Sequence, residues 1–148
     1  MKIKVMLDDG AFAPESAHEA DAGYDLRTPI DCYIPAGGCV VIDTGIHVDI
    51  PKGYVGFLKS KSGLNVRDHL TGEGVIDSGY TGSIAVKLYH NISWWNIWGR
   101  IFRKGKQFRR GDKIIQLVLL PIIKPEIELV DHLDETERGA GGFGSSGR

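Results

Sequence analysis

Asp77 and Tyr80 stand three residues apart in Gly74-Val-Ile-Asp-Ser-Gly-Tyr-Thr-Gly82, and this pair defines the chemistry the chain can offer. A carboxylate acts as a general base when it reaches a water or hydroxyl, and an aromatic ring is a flat surface for a sugar or a base. An apolar run leads into Asp77, Gly79 and Gly82 bound a turn, and Ser83-Ile-Ala-Val-Lys-Leu-Tyr89 alternates as a strand does. This is the pattern of a β-hairpin, with the glycines supplying backbone freedom at the bend. A base and a ring on a rigid hairpin suit a small ligand that has both a reacting centre and a ring.

Four other stretches carry residues that could serve a ligand. The tail Arg138-Gly-Ala-Gly-Gly-Phe-Gly-Ser-Ser-Gly147 reads as a linker on its glycine and serine content. It reads equally as a ligand loop: Arg138 offers a forked cation, Ser145 and Ser146 offer hydroxyls, and Phe143 offers a ring to lie over a base. No Lys follows the glycines, so it is not a Walker A loop. Lys61, Ser62 and Gly63 follow a strand-like run, either as a phosphate-binding corner or as an ordinary polar turn. Gln116 is a polar residue inside the apolar run 113–120, where burial demands a hydrogen-bond partner. Asp25, in Ala22-Gly-Tyr-Asp-Leu26, serves as a turn cap or as a site carboxylate.

The elements that must position these residues are strands. Ile3, Val5 and Leu7 alternate with Lys2, Lys4 and Met6; residues 39–44, 46–50, 54–59, 113–120 and 127–130 read as further strands, and residues 8–23 as turns. Glycines and prolines interrupt these runs every 8–12 residues, the rhythm of a β-sandwich or jelly roll. Residues 62–69 fit one short helical turn, and no long amphipathic helix is present. With 148 residues the chain is expected to be a single domain, 1–148.

Composition excludes several classes. A net charge of −1 provides no global field for DNA or membrane. Cys32 and Cys39 lack Cys-x-x-Cys spacing, and the five histidines lack ligand spacing, so a reduced protein without a protein-held zinc is expected. The N-terminal residues lack the apolar core of a signal peptide, and the longest apolar run, 114–123, is too short to span a bilayer. A cytoplasmic protein with no membrane partner is the expectation.

Taken in order, Ala22-Gly-Tyr-Asp-Leu26, Lys61-Ser-Gly-Leu64, Gly74 to Gly82, Arg110-Gly-Asp-Lys-Ile-Ile-Gln116 and Arg138 to Gly147 resemble the five motifs of the trimeric dUTPases. The resemblance runs from about residue 22 to 147, and its third and fifth motifs are highly specific. It implies an all-β protomer, a jelly-roll or β-clip-like distorted barrel, assembling as a homotrimer with active sites shared between subunits. In that family the first, second and fourth motifs come from one subunit, the third from a second and the tail from a third. The implied reaction is dUTP and water to dUMP and pyrophosphate with Mg²⁺, limiting uracil in DNA and supplying dUMP for thymidylate synthesis.

Residue by residue, the resemblance makes Asp77 the base for the water that attacks the α-phosphorus and puts Tyr80 under the deoxyribose. Uracil is read by main-chain groups near Gly74, Ile76 and Ala85, with Phe143 stacked on it. Lys61, Ser62, Gly63 and Gln116 contact the phosphates, as do Arg138, Ser145 and Ser146 when the arm 131–148 closes. Asp25 reaches Mg²⁺ through water.

Two departures matter. Lys61 stands where the family usually has Arg, a point charge in place of a fork. The related dCTP deaminases carry a catalytic Glu ten residues after the motif's Asp; here that position is Lys87. A lysine cannot shuttle that proton at neutral pH, so deamination is disfavoured. Residues 92–110 have no counterpart in the motifs and mix Trp94, Trp95 and Trp98 with Arg100, Arg103, Lys104, Lys106, Arg109 and Arg110. This insertion reads either as an extension packed on the barrel or trimer surface or as a contact patch for another protein, nucleic acid or anionic lipid. The patch is the basis of the rival reading, a nucleotide-sensing or protein-binding module of the same fold.

Overall fold

The computed structural model describes residues 2–91, 104–137 and 139–141. Among these residues eleven strands and one helix follow in chain order: β1 (Lys4–Leu7), β2 (Gly23–Arg27), β3 (Cys32–Ile34), β4 (Cys39–Asp43), β5 (Ile46–Asp49), β6 (Tyr54–Lys59), α1 (Ser62–Asp68), β7 (Leu70–Thr71), β8 (Glu73–Ile76), β9 (Ala85–His90), β10 (Lys106–Phe108) and β11 (Lys113–Pro121). The expected all-β class holds. No helix of the described residues is long and apolar enough to cross a membrane.

All the ladders are antiparallel. They form a four-stranded sheet ordered β2-β11-β6-β8, a three-stranded sheet β4-β9-β7, and the pairs β1-β5 and β10-β3. Alternation drives one face of β9 inward, where Val86 and Leu88 are buried and Ala85, Lys87 and Tyr89 are exposed. A register shift between Lys113 and Ile115 breaks that alternation on β11 and turns both Ile114 and Ile115 into the core. They meet Leu26, Ile42, Ile46, Leu58, Ile84 and Leu88 in one apolar cluster. Burying each of these side chains stabilises the fold by roughly 1.5–3 kcal/mol before entropy is counted.

Four sequence expectations need correction. The hairpin is the most consequential: β8 pairs with β6, and β9 pairs with β4 and β7, so its two arms lie in different sheets. Turn chemistry reports the bend but not the partners of the arms. Residues 127–130 form no strand, and Ile127 and Leu129 are 89% and 93% exposed. Their alternation is genuine, but a strand needs a neighbour and the described residues supply none. Gly23, within the turn-rich stretch, and Tyr24 to Arg27 after it form β2. Finally, the end of the 92–110 segment belongs to the fold: β10 pairs with β3 and buries Phe108.

Candidate active site

One half of the site is built on the four-stranded sheet. Asp25 on β2 lies opposite Gln116 on β11, which lies opposite Lys59 on β6. The chain then passes through Ser60 and Lys61 into α1, so the first, second and fourth motifs converge on one corner. Gln116 finds its required partner there, its amide Nε2 donating to the Ser60 carbonyl at 3.4 Å. Ser60 Oγ in turn accepts from the Gly72 N–H at 2.9 Å and donates to the Gly72 carbonyl at 3.1 Å, fixing the strand end. Ser62 and Gly63 open α1, which has no side-chain cap.

The charge at this corner is concentrated on Asp25, which is 8% exposed. The Lys61 ammonium donates to its Oδ1, and Lys113 Nζ lies 2.7 Å from Oδ2. Burial works to raise the Asp25 pKa, but the hydrogen bonds from Lys113 and Lys61 overcome it and hold the carboxyl below its ordinary value. Lys113 is the member of this corner that sequence reasoning missed. It lies in the fourth motif, yet its reach to Asp25 depends on the β2-β11 register, which no local pattern reports.

The other half is the 77–84 loop. Asp77 to Tyr80 form a tight turn closed by the Tyr80 N–H donating to the Asp77 carbonyl at 3.2 Å. Gly79, at the third position, has φ +90°, a conformation that demands glycine in a type II turn. Asp77 is exposed, and Tyr80 keeps 46% of its surface accessible. The Tyr80 hydroxyl donates to the Ser83 carbonyl at 3.0 Å, laying the ring along the loop. A Cβ at Gly82 would come within 2.5 Å of that hydroxyl, so glycine is what lets the ring lie there.

The splayed arms expose backbone. The Ile84 N–H bonds the Ile46 carbonyl, its carbonyl receives Thr44, and the His90 N–H bonds the Gly38 carbonyl. These groups therefore face the β4 side, and along an unbroken strand so do Val86 and Leu88. By alternation, the N–H and C=O of Ala85 point to the opposite edge, away from β4. On that edge β7 pairs only with Tyr89 and His90. Gly74 and Ile76 sit on β8 against Leu58 and Gly56.

The protomer does not bring the two halves together. β8 runs antiparallel to β6 with Glu73 opposite Lys59 and Ile76 opposite Gly56, so Asp77 continues to the level of Val55. Six extended residues separate that level from Lys61, about 20 Å at ~3.3 Å per residue. Arg138, Phe143, Ser145 and Ser146 lie outside the described residues, as do Trp94, Trp95, Trp98, Arg100 and Arg103. Two cations of the same segment are engaged by the fold itself. Lys106 pairs with Asp68 at 2.9 Å, and the Arg110 guanidinium lies 4.6 Å from the centre of the Phe12 ring.

Lys87 sits on the exposed face of β9 with its ammonium 4.9 Å from the centre of the Tyr89 ring. The Tyr89 hydroxyl raises its pKa, the reverse of what a proton shuttle requires.

A family model described as dUTPase matches residues 10–147. The deoxyuridine 5'-triphosphate nucleotidohydrolase of Gloeothece citriformis is 36% identical over 151 residues, covering 99% of this chain and 97% of its own. A Staphylococcus bacteriophage 80alpha dUTPase variant, solved with dUpNHpp, superposes with a TM-score of 0.86 at 32% identity, covering 99% of each chain. A dUTPase variant from phage phi11 of S. aureus, whose structure describes coordination of a structural Mg(II) ion, superposes with a TM-score of 0.79 at 31% identity. It covers 91% of this chain and 100% of that one. A jelly-roll protomer, five motifs in order and a match over nearly the whole length point the same way: the chain belongs to the dUTPase family.

Proposed function

We propose that this chain hydrolyses dUTP to dUMP and pyrophosphate in sites that two or more copies complete together. The observation that carries the reading is the division of polar groups. A base and a ring occupy one end of the β6-β8 pair, and a corner of Asp25, Lys61, Ser62, Gly63 and Gln116 occupies the other. A nucleoside triphosphate needs both at once, so each protomer presents half to its neighbour. A homotrimer, with the tail supplied by the third copy, is the arrangement the family resemblance offers. Uncovered apolar surface supports association. Ile123, Ile127, Leu129 and Leu133 are each at least 85% exposed. An open groove of about 300 Å³ is lined by Ile3, Val5, Leu7, Tyr24 and Leu119. Surfaces of this kind on a protomer mark sites of association.

In the proposed mechanism Asp77 accepts a proton from the water that attacks the α-phosphorus. Tyr80 packs under the deoxyribose and leaves no room for a 2′-hydroxyl. The Ala85 N–H and C=O match a uracil carbonyl and N3–H, with the backbone near Gly74 and Ile76 closing the slot against the thymine methyl. Cytosine inverts part of that donor and acceptor order and strands buried groups. Ser62, Gly63, Gln116 and Lys61 hold phosphate oxygens; Lys61 turns from Asp25 to do so. Arg138, Ser145 and Ser146 clamp the outer phosphates, and Phe143 covers the base.

The residues present fit Mg²⁺ bound mainly by the substrate. Among the described residues no cluster of three metal-ligating side chains occurs, and the corner offers Asp25 as a hard carboxylate. Mg²⁺ is ordinarily held by one or two carboxylates plus phosphates and waters, and Asp25 would hold it through water. When bound, the ion neutralises phosphate charge.

The nucleotide panel tests the reading. Pyrophosphate release from dUTP is expected to exceed that from UTP by about 10²-fold and that from dCTP by about 10⁴-fold, from the usual cost of an excluded hydroxyl and of unpaired buried groups. Equal turnover of dUTP and dCTP would remove the Ala85 edge from the account.

A further inference from the structure

The 77–84 loop is held at its ends by buried Ile76 and Ile84, but the residues that do chemistry lie between them. Two side chains from outside the loop hold its middle. Ser83 Oγ donates to Asp43 Oδ1, which also accepts the Gly45 N–H at 3.1 Å. His47 on β5 places Nδ1 2.7 Å from the carbonyl oxygen of Thr81, the residue directly after Tyr80. Its other nitrogen, Nε2, lies 3.2 Å from Asp8 Oδ1, just beyond β1. The imidazole therefore bridges the Asp8 carboxylate and the main chain of the loop, across 34 residues of sequence in one direction and 39 in the other.

We propose that His47 is a positioning residue for this loop: held by Asp8, its imidazole grips the Thr81 carbonyl and thereby sets how Tyr80 and Asp77 are presented to the nucleotide. The proposal rests on the reading of the loop as the deoxyuridine-binding element. Both neighbours of the ring are acceptors. A neutral imidazole carries one N–H and can satisfy only one of them, turning a lone pair on the other. The imidazolium donates to both. The charged groups around the ring are Asp8, Asp43 on β4, and the Lys4–Asp49 pair on β1 and β5, which shares a shallow groove with His47 and Thr81. The Thr81 carbonyl first, and the Asp8 carboxylate second, raise the His47 pKa.

The sign of the effect follows. A histidine whose folded pKa is raised contributes fully below its ordinary value of about 6.5 and loses that contribution as pH rises through the raised value. The grip on Thr81 is therefore firm below about pH 6.5 and loosens as pH rises through the raised value.

The experiment has two arms. In the first, the His47 imidazole is titrated by NMR without nucleotide in the wild type and in Asp8→Asn. A pKa above the ordinary histidine value that drops in Asp8→Asn supports the bridge; an ordinary pKa unmoved by Asp8→Asn overturns it. In the second, KM for dUTP is measured from pH 6 to 9 in the wild type and in His47→Gln, which keeps a neutral donor but cannot titrate. KM of the wild type is expected to rise about 3- to 10-fold across the alkaline side, more than kcat changes, and KM of His47→Gln to stay flat. Identical KM profiles would overturn the positioning role. Absence of any pyrophosphate release by the wild type would sink the activity reading instead, and the NMR arm alone would then decide whether the bridge exists.

Discussion

Asp77→Asn is expected to lower kcat for dUTP by about 10²- to 10⁴-fold while leaving KM within a factor of about three. The substitution is nearly isosteric, and the turn it sits in is held by the Asp77 main chain, whose carbonyl accepts the Tyr80 N–H at 3.2 Å. The side chain is exposed, so neither packing nor a buried charge is lost. What disappears is the only change that matters to the proposed step, a group able to take a proton from water. Steady-state pyrophosphate release with the circular dichroism spectrum as a fold control checks it. A kcat within about threefold of the wild type would remove Asp77 as the base.

Asp25→Asn is expected to cost about 2–3 kcal/mol of stability at pH 7, below the ~3–5 kcal/mol typical of breaking a fully buried pair. The discount reflects the Lys61 and Lys113 side chains, which keep 26% and 32% of their exposure while Asp25 keeps 11%. Replacing the carboxylate leaves two ammonium groups facing each other beside the core residue Leu26. The effect is pH-dependent with a definite sign. Because the folded carboxyl pKa lies below its ordinary value, its contribution is complete above about pH 3.9 and is lost as pH falls through the folded value. The gap between wild type and variant should therefore close in acid. Urea unfolding at matched protomer concentration checks this, since association makes apparent stability concentration-dependent. Adding Lys113→Met to Asp25→Asn should recover part of the loss. A variant as stable as the wild type at pH 7 would show that the two lysines contribute nothing to the corner.

Local patterns reach some of this structure and not the rest. The apolar runs Tyr54 to Leu58 and Ile114 to Leu120 mark β6 and β11, and the polar start at Ser62 marks α1. Partners are another matter. The glycines of residues 74–82 report a bend, but whether its arms pair with each other or with β6 and β4 is decided by contacts remote in sequence. Ile127 to Val130 show the same limit from the other side: their alternation is strand-like, and no strand of the described residues pairs with them. Phe108 was hidden among cations, although it packs in the core. In the site, Asp77, Tyr80, Asp25 and Gln116 are readable from type and motif. Lys113 and His47 are not, because each acts through a neighbour that only the folded register brings within reach.

The ~20 Å between the level of Asp77 and that of Lys61 makes the strongest demand of the account, since it requires that no protomer catalyse alone. Mixing two inactive proteins tests it directly. One carries Asp77→Asn; the other carries Ser62→Ala with Gln116→Ala, and the two are unfolded and refolded together so that protomers exchange. Sites that combine an intact Asp77 from one copy with an intact phosphate corner from another should form, and pyrophosphate release from dUTP should return to a substantial fraction of the wild-type rate. A mixture no more active than its two components, with exchange of protomers verified, would contradict the shared site.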